Sequence, residues 1–204
     1  VLRWDDPRTA RSEFDWQGWH GFKALPEFAN SPHGDDLAAG PKTYVLRATA
    51  RWMDPNGDGD PSDGIDGWRL DVAEEIPSRF WRDWHDHVRT INPEAYTSAE
   101  IWGPARDFLD RAHFTACMNY AGFAIPLKGW LVDDRLPVSE FDQRLAEQRE
   151  AYAFDRYLTM QNLVDSHDTQ RIASAIQNRP ARGHEYLSAD WCDYDQCRRV
   201  SPYQ

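Results

Sequence analysis

The chain has 204 residues, a formal net charge of −11, and aromatic side chains at 13% of its positions, ten of them Trp. The acidic balance argues against nucleic acid or an anionic membrane surface as a partner, and no stretch approaches the roughly 18 apolar residues of a membrane span. The aromatic share is ample for a core and for exposed stacking faces, with packing expected for most of the tryptophans.

Residues 1 to 41 read as loop, polar, with Trp, Pro and Gly scattered through them. Residues 42 to 53 carry Val45, Leu46, Ala50 and Trp52 as the apolar share of a helix. The following run, Asp54-Pro55-Asn56-Gly57-Asp58-Gly59-Asp60, places an oxygen-bearing side chain at every second position with glycines between. That spacing is like the first half of a calcium loop, and it makes Asp54, Asn56, Asp58 and Asp60 candidate ligands of a structural calcium. A solvated acidic turn has the same appearance, and Ile65 stands where an EF-hand keeps its bidentate glutamate.

Next comes Asp66-Gly67-Trp68-Arg69-Leu70-Asp71-Val72-Ala73, an apolar segment that reads as a buried strand. Side chains alternate along a strand, so Arg69 and Asp71 share a face. A permanent cation beside a carboxylate favours the ionised, nucleophilic form, although a buried salt bridge would read the same way. A helix near 78 to 90 presents Phe80, Trp81, Trp84 and Val88 on one side. A second strand, Tyr96-Thr97-Ser98-Ala99, ends on Glu100 and leads into Ile101-Trp102. A third covers about His113 to Asn119, Ser139 looks like the N-cap of a helix to about Tyr152 with Phe141 and Leu145 inward, and Asn162-Leu163-Val164-Asp165-Ser166-His167-Asp168 reads as a strand delivering Asp168. From Asn178 the tail reads as loop. Of the three cysteines, Cys117 is expected to be a buried thiol, while Cys192 and Cys197 flank an acidic loop and could pair.

Strands therefore alternate with helices, as in a parallel barrel, where the C-terminal strand ends share one rim and catalytic groups collect. Three carboxylates on that rim would repel one another and separate their pKa values, which suits acid/base and nucleophilic work.

These segments resemble the motifs of the alpha-amylase family of retaining glycoside hydrolases. The Trp68-to-Ala73 run is similar to the family's nucleophile strand, Glu100-Ile101-Trp102 to its general-acid strand, and Ser166-His167-Asp168 to the strand end carrying a transition-state-stabilising aspartate. Leu25-Pro26-Glu27-Phe28 resembles the short motif in the long loop after strand three, Phe80-Trp81-Arg82-Asp83-Trp84 the helix after the nucleophile strand, and Met118-Asn119-Tyr120 the end of the sixth strand. The resemblance implies Asp71 as nucleophile, Glu100 as general acid/base and Asp168 as the residue that holds hydroxyls of the reacting sugar. It also implies that His167 helps hold that ring, that Arg69 keeps Asp71 charged, and that Trp102 offers a face to leaving-group sugars unless it is rim packing. Glu75 matches a glutamate common in the pullulan- and cyclodextrin-degrading branch, with a subsite role or a solvated loop position as its two readings. Such chemistry needs one ionised and one protonated carboxyl about 5–5.5 Å apart, and no catalytic cofactor.

The family's first motif, an Asp-x-x-x-Asn-His strand end, has no counterpart here, and no apolar run follows Asp168 as an eighth strand would. A complete barrel takes about 250 residues. The expected fold is therefore α/β, a partial (β/α)8 barrel of about strands three or four to seven, an internal fragment lacking the first strands and the eighth. Residues 1 to 41 would be the excursion after strand three, 42 to 178 the βα units and 179 to 204 a loop-rich tail. The loop at 54 to 60 enters strand four from the barrel's N-terminal face, so a calcium there would serve stability. The expected activity is retaining hydrolysis of alpha-glucans such as starch, maltooligosaccharides, pullulan or cyclodextrins, nearest to neopullulanases and cyclomaltodextrinases. A transglycosylase and a non-catalytic sugar-binding relative are the alternatives.

Overall fold

The structure, a computed structural model, describes residues 16–177. The cysteine pair Cys192 and Cys197 and the loop-rich tail lie outside the described residues. The described residues form two compact units, one of 16–67 together with Glu75–Ala95, the other of Trp68–Glu74 together with 96–177.

The first unit is built on two helices, α1 (Ala39–Met53) and α2 (Ser78–Ile91). In α2 the bulky residues recur at helical spacing, and Phe80, Trp81, Trp84 and Val88 are all buried, as the sequence pattern predicts. Trp81 meets Phe80 at 5.1 Å and Trp84 edge-on at 5.6 Å between ring centroids. Helix α1 packs against α2, and a buried hydrogen bond crosses between them from Trp84 Nε1 to Thr49 Oγ1 at 2.9 Å. The apolar share expected for α1 needs correction, because Trp52 is 62% exposed. The buried positions are Pro41, Thr49 and Met53, a row of fourfold spacing that Trp52 misses by one residue, or about 100° of helix rotation.

In the second unit three short strands lie in the order β1 (Gly67–Leu70), β2 (Tyr96–Ala99) and β3 (Ala116–Cys117). Strands β2 and β3 run parallel, with Ser98 opposite Ala116 and Ala99 opposite Cys117. Helix α3 (Arg106–Ala112) links them and buries Leu109 and Ala112. After β3 the backbone makes a π-helical turn at Tyr120–Ala124, which runs into α4 (Ile125–Leu131). Cys117 is buried and free, its thiol pushed up to about 12 by burial.

Two expectations differ from what is found here. The strand expected to end at Asp168 is a single parallel bridge, Met118 to Gln161, closed by Asn119 N–H to Gln161 O at 2.9 Å and Gln161 N–H to Cys117 O at 3.1 Å. Downstream, hydroxyl and carboxylate side chains bond the local backbone around residues 165 to 172 and compete with a ladder. Helix α5 (Val138–Ala151) starts one residue before Ser139, capped by Pro137, and none of its side chains is fully buried. Phe141 and Leu145 are only half-covered, and Phe141 stacks on Trp130 at 4.7 Å. The short helices α6 (Phe154–Thr159) and α7 (Ile172–Gln177) complete the described residues.

Thr49→Val keeps the size of the side chain and removes the acceptor of the buried Trp84 bond. It is expected to cost about 1–3 kcal/mol, measured by urea denaturation, with an unchanged midpoint as the result that would deny the bond any weight.

Candidate active site

Strand β1 carries Arg69 and ends one residue before Asp71. The Arg69 guanidinium lies between two carboxylates: Nη1 donates to Asp71 Oδ1, and Nη2 is 3.0 Å from Glu100 Oε1. Its Nε reaches the sulfur of Met118 at 3.4 Å, so the head group is anchored on three sides. Burial opposes its charge, but the bond to Asp71 and the fields of Glu100 and Asp71 outweigh that and raise its pKa.

Glu100 follows β2, and its N–H donates to the carbonyl of Leu70 at 2.9 Å, which fixes its height relative to β1. Its second oxygen, Oε2, accepts the N–H of Val72 at 2.9 Å. Val72 has φ +46°, a left-handed conformation that a β-branched residue rarely adopts. The strained turn after Asp71 thus aims a backbone donor at the Glu100 carboxyl.

The two carboxylates differ sharply in exposure: the Glu100 side chain is 8% exposed and that of Asp71 is 65%. Burial pushes the Glu100 pKa above the ordinary carboxylate range, and the negative charges of Asp71 and Asp168 add to the rise. The Val72 N–H and the Arg69 cation pull the other way without cancelling it.

Asp168 stands in a turn rather than at a strand end. Its N–H donates to Ser166 Oγ at 3.1 Å, and Ser166 N–H donates to Thr169 Oγ1 at 2.8 Å. Its carboxylate, with the side chain 18% exposed, is 3.1 Å from Nε2 of the exposed His167. The neighbouring Asp165 takes a structural part: it accepts the Ile172 N–H at 2.9 Å and pairs with Arg171 at 2.6 Å, and both bonds lower its pKa. Trp102 is stacked flat on Tyr120, 4.1 Å between centroids and 0° between planes. Met118, Tyr120, Ala124 and Ile125 form the apolar cluster beneath, with Trp102 and Leu163 packed against it.

Asp71, Glu100, Asp168, Arg69, His167 and Trp102 therefore fall in one unit, with Arg69 joining Asp71 to Glu100. Glu75 belongs to the other unit, where Oε1 is 3.9 Å from His20 Nε2. The acidic loop is in that unit too. There Asp54 accepts the N–H groups of Gly57 and Gly59, Asn56 that of Asp58, Asp58 that of Asp60, and Asp60 that of Ser62, at 2.8–3.0 Å. Those bonds to Ser62 lower the pKa of Asp60. A carboxylate oxygen has two lone pairs, so the four side chains keep acceptor capacity with which they could hold a hard cation.

Three contributors escaped the sequence reading. Tyr120 was visible in the segment Met118-Asn119-Tyr120, and Ser166 stands directly before His167, but nothing in sequence marks either hydroxyl as a partner of the Asp168 turn. The Val72 donor depends on a positive φ for which a valine gives no signal. Chemically the site holds a buried carboxyl biased toward its protonated form and an exposed carboxylate beside a fixed cation. That is the pairing needed for a proton donor and a nucleophile.

No family model matches the chain. Individual proteins do. A cyclomaltodextrinase of Bacillus sp. is 34% identical over 151 residues, covering 74% of this chain and 25% of its own length. Neopullulanase 2 of Thermoactinomyces vulgaris is 33% identical over 141 residues, covering 69% of this chain and 23% of its own. The chain thus spans a quarter or less of these curated relatives. Among solved structures, the debranching enzyme of Nostoc punctiforme aligns with a TM-score of 0.68 at 31% identity, over 87% of this chain and 37% of that one. The cyclic alpha-maltosyl-(1→6)-maltose hydrolase of Arthrobacter globiformis aligns at 0.69 with 25% identity, over 86% and 37%. With the acidic motifs in order and β2 parallel to β3, the chain belongs to the alpha-amylase family of glycoside hydrolases.

Proposed function

We propose that the whole protein hydrolyses alpha-glucans with retention of configuration and that this chain supplies its reacting carboxyls. The observation that carries the reading is the contrast across Arg69, with Glu100 buried and its pKa raised while Asp71 is exposed and ion-paired. We infer that β1, β2, β3 and the Gln161 bridge are strands four to seven of the barrel.

In the first step a carboxylate oxygen of Asp71 attacks the anomeric carbon. The bond to the leaving glycosidic oxygen breaks, and Glu100 gives that oxygen its proton. In the second step Glu100 takes a proton from water, whose oxygen attacks the same carbon and releases the Asp71 carboxylate. Asp168 and His167 hold hydroxyls of the reacting ring while positive charge builds on it. Arg69 orients Asp71 through their ion pair, and Trp102 offers an aromatic face to leaving-group sugars. The names of the relatives, cyclomaltodextrinase, neopullulanase and amylopullulanase, point to cyclic and branched alpha-glucans as the substrate class.

Asp71→Asn in the whole protein is expected to abolish turnover of cyclodextrin and pullulan while calorimetry still registers glucan binding. Near-normal turnover would remove Asp71 from the nucleophile's place. The pH profile is a separate test. Glu100 must be protonated to act as acid in the first step, so kcat/KM falls as pH rises through its free-enzyme pKa. Because that pKa is raised in the fold, the alkaline limb of kcat/KM is expected above the ordinary glutamate value of about 4.3. A limb at the ordinary value would contradict the buried-acid assignment.

A further inference from the structure

Two hydroxyl groups outside the acidic trio tie the Asp168 turn to the aromatic stack beside Glu100. The Tyr120 O–H donates to Ser166 Oγ at 2.9 Å, and the same oxygen accepts the backbone N–H of Asp168 at 3.1 Å. Both residues are buried, Tyr120 completely. Tyr120 has little freedom to move, because its ring lies flat against Trp102 at 4.1 Å and inside the apolar cluster. The Ser166 N–H is held by Thr169 Oγ1 at 2.8 Å, so the serine is fixed from its backbone as well as from its hydroxyl.

We propose that Tyr120 and Ser166 are positioning residues for Asp168, a hydroxyl pair that sets the Asp168 turn at a fixed height above the Trp102–Tyr120 stack. The proposal rests on the reading of Asp168 as the carboxylate that holds the reacting sugar. A bond as weak as O–H···O suffices, because a displacement well under the length of a bond is costly where geometry must match a transition state. The device works at every relevant pH, since burial pushes the Tyr120 phenol up to about 12 and keeps it a donor. It acts on the step in which charge develops on the sugar and Asp168 contacts strengthen. Its loss should therefore appear in kcat rather than in KM.

The test uses the whole protein with cyclodextrin, measuring kcat, KM and Tm for Tyr120→Phe, Ser166→Ala, Ser166→Thr, the Tyr120→Phe/Ser166→Ala double variant and Asp168→Asn. Tyr120→Phe and Ser166→Ala are each expected to lower kcat about tenfold with KM within about twofold. The double variant is expected to be no worse than Ser166→Ala, because both groups act through one oxygen. Ser166→Thr keeps the hydroxyl and is expected to recover most of the rate. Tyr120→Phe keeps the stacked ring, so its rate loss should come without a comparable fall in Tm. Unchanged kcat in both single variants, or losses that multiply in the double variant, would overturn the proposal. If Asp168→Asn is inactive in that case, the assignment of Asp168 survives and only the positioning role falls. If Asp168→Asn keeps full activity, the assignment of Asp168 itself is wrong and the proposal goes with it.

Discussion

The site depends on one guanidinium shared by two carboxylates in unequal surroundings. Arg69 contacts both Asp71 and Glu100, and a single cation cannot neutralise both equally when one is solvated and the other is buried. The buried group carries the larger desolvation penalty as an anion, which raises its pKa. The exposed group, Asp71, keeps the cation beside it. A symmetric pair would share the proton and leave neither carboxyl committed to one role. Here the asymmetry comes from the fold: Glu100 follows the central strand of the sheet, and Asp71 lies beyond the end of a neighbouring strand.

The backbone reinforces that assignment at a cost. Holding Val72 in the left-handed region costs on the order of 1–3 kcal/mol, and the return is an N–H aimed at Glu100 Oε2. Together with the bond from Glu100 N–H to the Leu70 carbonyl, it clamps the acid from both its main chain and its side chain. The N–H also stabilises the anion, so it limits the rise in pKa that burial causes. In the proposed role of general acid and base that balance is useful, because a carboxyl that was only buried would be a poor donor.

Much of this was legible in the sequence, for reasons that differ from element to element. The α2 stripe of Phe80, Trp81, Trp84 and Val88 repeats with the helical period, and burial followed the period. Arg69 and Asp71 pair as expected, although β1 ends at Leu70 and Asp71 makes the pair from the turn beyond it. Trp52 departs from the expectation because the face of α1 is set by the row of Pro41, Thr49 and Met53, and a large aromatic one residue off that row stays exposed. Ser139 lies inside the helix because Pro137, in extended backbone two positions earlier, is the N-cap, and its carbonyl accepts the first N–H groups, those of Glu140 and Phe141. The segment from Asn162 to Asp168 ended on an acid like the other strands, but its Ser, Asp and Thr side chains bond to local backbone and leave only one bridge of sheet.

That last departure bears on how the third carboxylate is controlled. Glu100 takes its position from sheet hydrogen bonds, which a mutation of one side chain hardly disturbs. Asp168 lies seven residues past the bridge at Gln161, too far for the ladder to place it, so its position comes from the local turn, a Thr169 N–H to Ser166 O bond of 3.3 Å and side-chain bonds. The turn around it is closed by the hydroxyls of Ser166 and Thr169 and by the Asp165 carboxylate on the Ile172 N–H. Tyr120, through Ser166, connects that turn to the part of the unit that packs under Trp102. A network of single hydrogen bonds is softer than a strand and more sensitive to substitution. On the proposed roles it also lets Asp168 be tuned without moving Asp71 or Glu100, so that a change of hydroxyl partner there would leave the two carboxyls across Arg69 in place.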